Sequence, residues 1–222
     1  MKRRTLDIIL SAGGMLLAVV LLVLGGVLQS QADFAKSYTS TQLSAQAITF
    51  TPAEGLNGAD QEPGGACLVT YAGQTMSTGK QAECYANQYI ALHMRESAAG
   101  AGYEGATYAS LGGVTRELKA KVAEAQTALD DATAAGQPTT DLQARLDELN
   151  GELTTASNLR NTMFQGETLR GLLLTVYGFS VFGELAGIAA IAAFLGGVLL
   201  FILSILGFLH AARTPREKSF EP

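Results

Sequence analysis

Histidine and cysteine, which supply many general bases, nucleophiles and metal ligands, are scarce in this sequence. They occur only as Cys67 and Cys84 and as His93 and His210. The segment GFSVFG at 178–183 resembles a nucleophile elbow, but that motif has the spacing G-x-S-x-G and needs a downstream histidine outside the membrane. No P-loop, dinucleotide fingerprint or Cys-x-x-Cys pair is present. We therefore predict no catalytic residue, no metal ligand and no cofactor.

Two uncharged apolar runs bracket the rest of the chain, at 8–28 and 186–209. At about 1.5 Å per residue, either run is long enough as a helix to cross a hydrocarbon core of ~30 Å. We predict two transmembrane helices there. The first run also resembles a signal peptide that ends at Ala32, but it is longer than the usual apolar core of such peptides. We expect an uncleaved anchor; cleavage would leave one span.

The charges predict the orientation. Basic residues next to a span are retained in the cytoplasm, so we expect the tails 1–7 and 210–222 to be cytoplasmic and residues 29–171 to lie outside a plasma membrane. Residues 31–183 carry nine Lys or Arg and sixteen Asp or Glu, a net charge of −7, which argues against nucleic acid as a partner. The basic flanks are Lys2, Arg3, Arg4, Arg213, Arg216 and Lys218.

Both cysteines lie in the part predicted to be exported, where oxidising conditions let a disulfide persist. We expect a Cys67–Cys84 bond that stabilises the fold by roughly 3 kcal/mol. Two separate buried thiols are the alternative. A metal site lacks further ligands at suitable spacing.

The patterns outside the membrane are mainly helical. Apolar residues at intervals of three and four predict an antiparallel, coiled-coil-like hairpin over 114–163, interrupted by Gly136-Gln137-Pro138. The first span is expected to continue as a helix to Gln46. A T-x-x-Q capping box at Thr78 predicts a helix to about Ser97, followed by a connector at 100–113. Segments 47–51 and 67–71 are predicted as two short paired strands, and 54–65 as a loop.

The second apolar region is too long for one span. From Gly171 to Leu209 it would extend ~58 Å as a helix, nearly twice the bilayer core. Glu184 divides it, and a carboxylate is less costly at the interface than at the bilayer centre. We therefore interpret 172–185 as an interfacial apolar segment.

Two features are candidates for interfaces. Glu167 and Arg170 are three residues apart, so they can pair on a helix face, where Arg170 either anchors at lipid headgroups or docks a partner. Small residues in the second span would let another helix approach, either the first span or a different membrane protein. The candidate interface residues are Glu167, Arg170, Glu184, Ala189, Ala193 and Gly197.

Nearly the whole chain resembles a family of actinobacterial two-span membrane proteins of unknown function. The resemblance is carried by MKRRTLDIILSAGG at 1–14, TGKQAECYANQYIALHM at 78–94, FQGETLRGLLLTVYGF at 164–179 and HAARTPRE at 210–217. It implies a Gram-positive plasma membrane and no known activity. Relatives are sometimes labelled aromatic ring-opening dioxygenase. The residues here argue against that label, because a non-haem iron site needs two histidines and a carboxylate that converge.

These patterns favour a non-catalytic membrane protein over an enzyme. We expect a scaffold or accessory subunit that sits in the lipid bilayer and binds other envelope proteins through its outer helical domain. An extracytoplasmic sensor, or a module that binds a lipid or small ligand, is the alternative. A cavity beside the helix that carries Tyr85 and Tyr89 would favour it.

Overall fold

The computed structural model describes residues 3–56 and 65–215, which are mainly helical. Lys2, Arg216, Lys218 and most of the predicted loop at 54–65 lie outside this part. The elements are α1 (Arg3–Ala45), a 3-10 turn (Ala53–Gly55), α2 (Ala66–Tyr71), α3 (Gly79–Cys84), a π-helical segment (Tyr85–Ile90), α4 (Ala91–Gly100), α5 (Tyr108–Ala134) and α6 (Thr140–Arg213).

The described residues form two compact units. The paired-helix unit contains residues from 1–47, 77–79 and 176–222, and the disulfide unit contains those from 48–76 and 80–175. Helix α6 runs without a break through 172–185, so this segment continues the same helix as the second apolar run. Both α1 and α6 are long and apolar enough to cross a membrane.

In the paired-helix unit, α1 packs antiparallel against the last part of α6. The direction follows from the contacts, because Gly14 lies beside Ser204, Gly25 beside Phe194 and Ala35 beside Gly183. Glycine, alanine and serine let the two backbones approach closely, and their contacts are the usual source of attraction between apolar helices in lipid. Phe194 and Leu22 pack against glycines in this seam, whereas many other large apolar side chains, such as Leu16 and Leu195, are exposed.

The predicted helical hairpin forms the core of the disulfide unit. Leu118 of α5 packs with Leu149 and Ala156 of α6, and a second cluster joins Leu111 to Leu159. Helices α5 and α6 are separated by residues 135–139, where Gly136 has φ +64°, a conformation that favours glycine. Residues 114–134 and 140–163, on either side of this break, are helical.

Helix α5 begins earlier than the hairpin pattern indicated. Its capping box pairs Thr107 with Ser110, so the second half of the predicted connector at 100–113 is helical. The glycines at 112 and 113 suggested a connector, but the cap satisfies the free backbone groups of the first turn and starts the helix despite them.

The predicted strand pair is wrong. Residues 67–71 lie in helix α2, and no regular strand occurs in the described ranges; Thr49 instead forms an isolated antiparallel bridge with Thr75. A short apolar run fits a strand or one turn of a buried helix equally well. Tertiary packing decides between them here, since α2 buries Leu68 and its Cys67 is bonded to Cys84.

The disulfide prediction is confirmed. Cys67 of α2 and Cys84 of α3 are bonded, with their Cα atoms 6.0 Å apart. The largest fully buried side chains near this end of the unit are Phe50, Leu68 and Met76. Because α2 has only six residues, too few for a stable isolated helix, the disulfide and this small core must hold it in place.

Replacing Gly183 by alanine should weaken the paired-helix unit. The added Cβ would lie 2.6 Å from the Cβ of Ala35, so a backbone must shift. We expect a loss of about 1–3 kcal/mol, typical of overpacking, seen as a lower melting temperature in detergent. Gly178→Ala is the matched control, because its Cβ would meet nothing within 4 Å, and it should melt at or slightly above the wild-type temperature. Equal melting of the two variants would contradict the packing.

Replacing both Cys67 and Cys84 by serine should destabilise the disulfide unit by about 3 kcal/mol, the value expected for a loop of this size. The bond closes a separation of 17 residues in sequence. Amide hydrogen exchange should become faster over 66–90, and reductant added to the wild type should produce the same pattern. Unchanged protection in both samples would show that packing alone holds α2.

Candidate functional site

A groove of about 370 Å³ runs along the hairpin of the disulfide unit, between α5 and α6. Two cations lie on its walls, Lys119 from α5 and Arg160 from α6. Two aromatic rings lie beside them, and hydroxyl and amide groups complete the lining. We call this the cationic groove; it is lined by Tyr108, Thr115, Lys119, Ser157, Arg160, Asn161 and Phe164.

Arg160 is held in place by an aromatic ring. Its Cζ lies 4.2 Å from the centroid of the Tyr108 ring, a cation–π contact, and Tyr108 in turn packs against Phe164 at 5.5 Å. The Nε of Arg160 is buried and has no hydrogen-bond partner among the described residues. A buried donor without a partner is costly, so a ligand that reached this atom would gain by bonding it.

The positive charges of the groove have no ion-pair partner in the part of the chain that the structure describes. Neither Arg160 nor Lys119 forms an ion pair with a described residue. Lys121, two positions from Lys119, behaves differently: its Nζ lies 2.7 Å from Glu117, and the hydrogen bond lowers the pKa of Glu117 and raises the pKa of Lys121. The groove is therefore a local positive site on a domain that is acidic as a whole.

The sequence analysis missed this groove. Its members are spread over 108–164, and only the antiparallel hairpin brings them together. One signal was present: Lys119 and Arg160 have no acidic residue three or four positions away, whereas Lys121 and Arg145 do. A cation without such a partner on a helical hairpin is available for another contact.

A second surface of the disulfide unit is a ladder of aromatic rings. Phe50 is buried and contacts Tyr71 at 5.5 Å and Tyr85 at 5.4 Å. Tyr85 stacks on Tyr89 at 4.5 Å, and Tyr89 contacts the His93 ring at 4.1 Å. Contacts of this kind add to the stability gained from burying the rings alone.

Two rings of the ladder, Tyr85 and Tyr89, lie in the π-helical segment, which the sequence pattern did not predict. Such segments are rare and are frequent at functional sites. A shallow cavity of about 300 Å³ lies along it, with Thr162, Gln165, Gly166 and Leu169 of α6 as its other wall. His93 lies at its edge, where Nδ1 is 2.8 Å from the carbonyl oxygen of Tyr89.

The Glu167–Arg170 pair predicted from sequence is present, with Nη1 of Arg170 3.4 Å from Oε2 of Glu167. Arg170 also donates from Nη2 to Oδ1 of Asn87, at 3.3 Å, in the π-helical segment. Its Nε is buried without a described partner. In the disulfide unit, therefore, Arg170 ties α6 to the segment that carries the ladder.

The other predicted interface residues lie in the paired-helix unit. Gly197 faces α1, where an added Cβ would meet Leu22 at 3.0 Å, and Ala193 is buried. Ala189 and Glu184 are exposed. The small-residue row is thus partly covered by α1, through the contacts of Gly197 with Leu22 and Ala18.

Within the described residues, no group of three or more His, Cys, Asp or Glu side chains could hold a metal ion. Comparison with protein families, with curated proteins and with solved structures gave no match.

Tyr85 should give the ladder a distinct alkaline titration. Burial, and secondly its neighbour Tyr89, raise the pKa of Tyr85 from 10.0 to about 12. An acid with a raised folded-state pKa favours the folded protein below the pKa of the unfolded chain, and this contribution is lost as the pH rises from about 10 through about 12. The phenolate absorbance of the folded protein should include a late step that Tyr85→Phe removes. Tyr103→Phe, a substitution outside the ladder, should retain it; loss of the step in both variants would contradict the assignment.

Proposed function

We propose that this chain is an integral plasma-membrane protein with two spans, cytoplasmic termini and an extracytoplasmic disulfide unit. The exposed apolar side chains of α1 and α6 support this: Leu16 and Leu195 are both 69% exposed, as are many of their neighbours to a lesser degree. So much exposed apolar surface is unfavourable in water and favourable in lipid. The Cys67–Cys84 bond supports an oxidising compartment for the other unit.

We further propose a non-catalytic scaffold or accessory subunit that binds an acidic segment of another envelope protein in the cationic groove. The proposal rests on Arg160 and Lys119, which lie beside two aromatic rings and form no ion pair with a described residue. Tyrosine and arginine are enriched among the residues that dominate binding energy at protein interfaces. Phe164 is 53% exposed, an apolar side chain in a position to be covered by a partner.

The chemistry of the groove fits carboxylates. A guanidinium and an ammonium group can donate charge-assisted hydrogen bonds to Asp or Glu side chains, and these bonds are about twice as strong as neutral ones. Tyr108 fixes the guanidinium in advance, so less side-chain entropy is lost on binding. The resemblance to actinobacterial two-span proteins of unknown function belongs to this proposal and adds a Gram-positive plasma membrane to it.

The test is photo-crosslinking of the full-length protein in cells. A crosslinking residue at Ser157, in the groove, should capture a protein whose linked peptide is rich in Asp and Glu. The same residue at Thr127, an exposed position of α5 outside the groove, is the control and should capture little. Arg160→Gln should lower the Ser157 product by about fivefold, the effect of losing a partly exposed ion pair and its ring contact.

Three results would contradict the proposal. These are equal crosslinking from Ser157 and Thr127, a product from Ser157 that is polysaccharide or lipid, and a yield that Arg160→Gln leaves unchanged. High salt should also weaken the contact, since ion pairs near the surface are screened.

A ligand-binding sensor is the second candidate function, and the aromatic cavity beside Tyr85 and Tyr89 is what favours it. Stacked rings with a polar edge suit a flat, partly apolar ligand. If the candidate is correct, Tyr89→Ala should abolish binding of such a ligand, and Arg160→Gln should leave it intact.

A further inference from the structure

The paired-helix unit contains a cavity of about 470 Å³ between α1 and α6. It lies just beyond the apolar runs at 8–28 and 186–209, and glycines and hydroxyl residues form most of its wall. We call it the headgroup cavity. Its lining residues from α1 include Gln29, Ala32, Asp33, Lys36 and Thr39, and those from α6 are Ser180, Gly183, Glu184 and Gly187.

The buried hydroxyl group of Thr39 indicates that a ligand binds in this cavity. The Thr39 side chain is only 4% exposed, it lines the cavity, and its hydroxyl oxygen has no hydrogen-bond partner among the described residues. Threonine in a helix commonly donates to the carbonyl one turn earlier, as Thr70, Thr127 and Thr168 do here. A buried hydroxyl without such a bond is costly and is expected to be satisfied by a bound group.

Three charged residues line the cavity: Asp33 and Lys36 on α1, and Glu184 on α6. Asp33 accepts a hydrogen bond from Gln29 at 3.0 Å, and none of the three charges forms an ion pair with a described residue. The combination suits a zwitterion: Lys36 can bind a phosphate, and the two carboxylates can bind an ammonium group. Their net charge of −1 disfavours a headgroup that is only anionic.

Small residues give a headgroup room to enter. At Gly187, an added Cβ would touch Ala32 at 3.6 Å, and at Gly79 it would overlap the Ser180 side chain. Larger side chains at these positions would fill part of the cavity. The exposed apolar residues that follow on α6, Leu185 and Ile188, offer a surface for acyl chains.

We propose that the headgroup cavity binds a phospholipid whose headgroup carries both a phosphate and a primary ammonium group, as phosphatidylethanolamine does. Lys36 and the Thr39 hydroxyl bind the phosphate, and Asp33 and Glu184 bind the ammonium. The position of the cavity at the end of the apolar runs places it at the level of headgroups, and in this respect the inference rests on the proposed two-span topology.

The test uses the full-length protein in nanodiscs that contain equal amounts of phosphatidylethanolamine and phosphatidylglycerol. Native mass spectrometry of the released protein should show the ethanolamine lipid enriched about fivefold over the glycerol lipid, as expected for two partly exposed ion pairs. Asp33→Asn combined with Glu184→Gln should remove the enrichment. Thr39→Val, which keeps the shape and removes the hydroxyl, should lower the amount of either lipid that is retained.

Ser37→Ala is the matched control on the same helix, because Ser37 is exposed and its hydroxyl donates to the carbonyl of Phe34. It should retain the ethanolamine lipid as the wild type does, and so should Arg160→Gln, which alters only the cationic groove. Soluble phosphoethanolamine in excess should not displace the lipid, since it has no acyl chains.

Equal retention of the two lipids by a protein that inserts normally would overturn this inference and leave the topology intact. So would a Thr39→Val variant that retains lipid as Ser37→Ala does, or full displacement by soluble phosphoethanolamine. A chain that fails to insert into nanodiscs would overturn the two-span topology and the lipid site together.

Discussion

The close approach of α1 to the last part of α6 is the constraint on which the rest of the paired-helix unit depends. Both helices carry apolar side chains on most of their surface, so burial of apolar groups gives little direction to their pairing in a lipid environment. What fixes the pairing is the set of positions where a side chain is small. Gly14, Gly25 and Gly183 each let the opposite helix come within contact distance of the backbone.

The antiparallel register has two consequences within that unit. It brings Asp7 and His210 to one end, where Nε2 of His210 lies 3.9 Å from Oδ2 of Asp7. It brings Tyr38 and Phe179 together towards the other end, with ring centroids 6.3 Å apart. The headgroup cavity lies near the second contact, and Thr39 of α1 and Gly183 and Gly187 of α6 are among the residues that line it.

The disulfide unit is stabilised in a different way. Its hairpin has a conventional apolar core, but the segment that precedes it is a set of short helices joined by one disulfide and a ladder of rings. Arg170 links the two parts through Asn87. The groove and the ladder are therefore supported by packed elements, and the side chains that line them have defined positions before any ligand arrives.

The sequence determined those features that arise from local periodicity and chemistry. The sequence predicted the two apolar runs and the hairpin with its break at Gly136, because both depend on the spacing of residues along the chain. It also predicted the Cys67–Cys84 bond, because the chain has only these two cysteines. The tertiary structure alone decided the rest. Residues 66–71 form helix α2 because Leu68 is buried and Cys67 is bonded to Cys84. The hairpin also places Arg160 and Lys119 in the same groove. The tertiary structure also left the Thr39 hydroxyl without a hydrogen-bond partner among the described residues. These depend on residues distant in sequence, whose positions follow from packing.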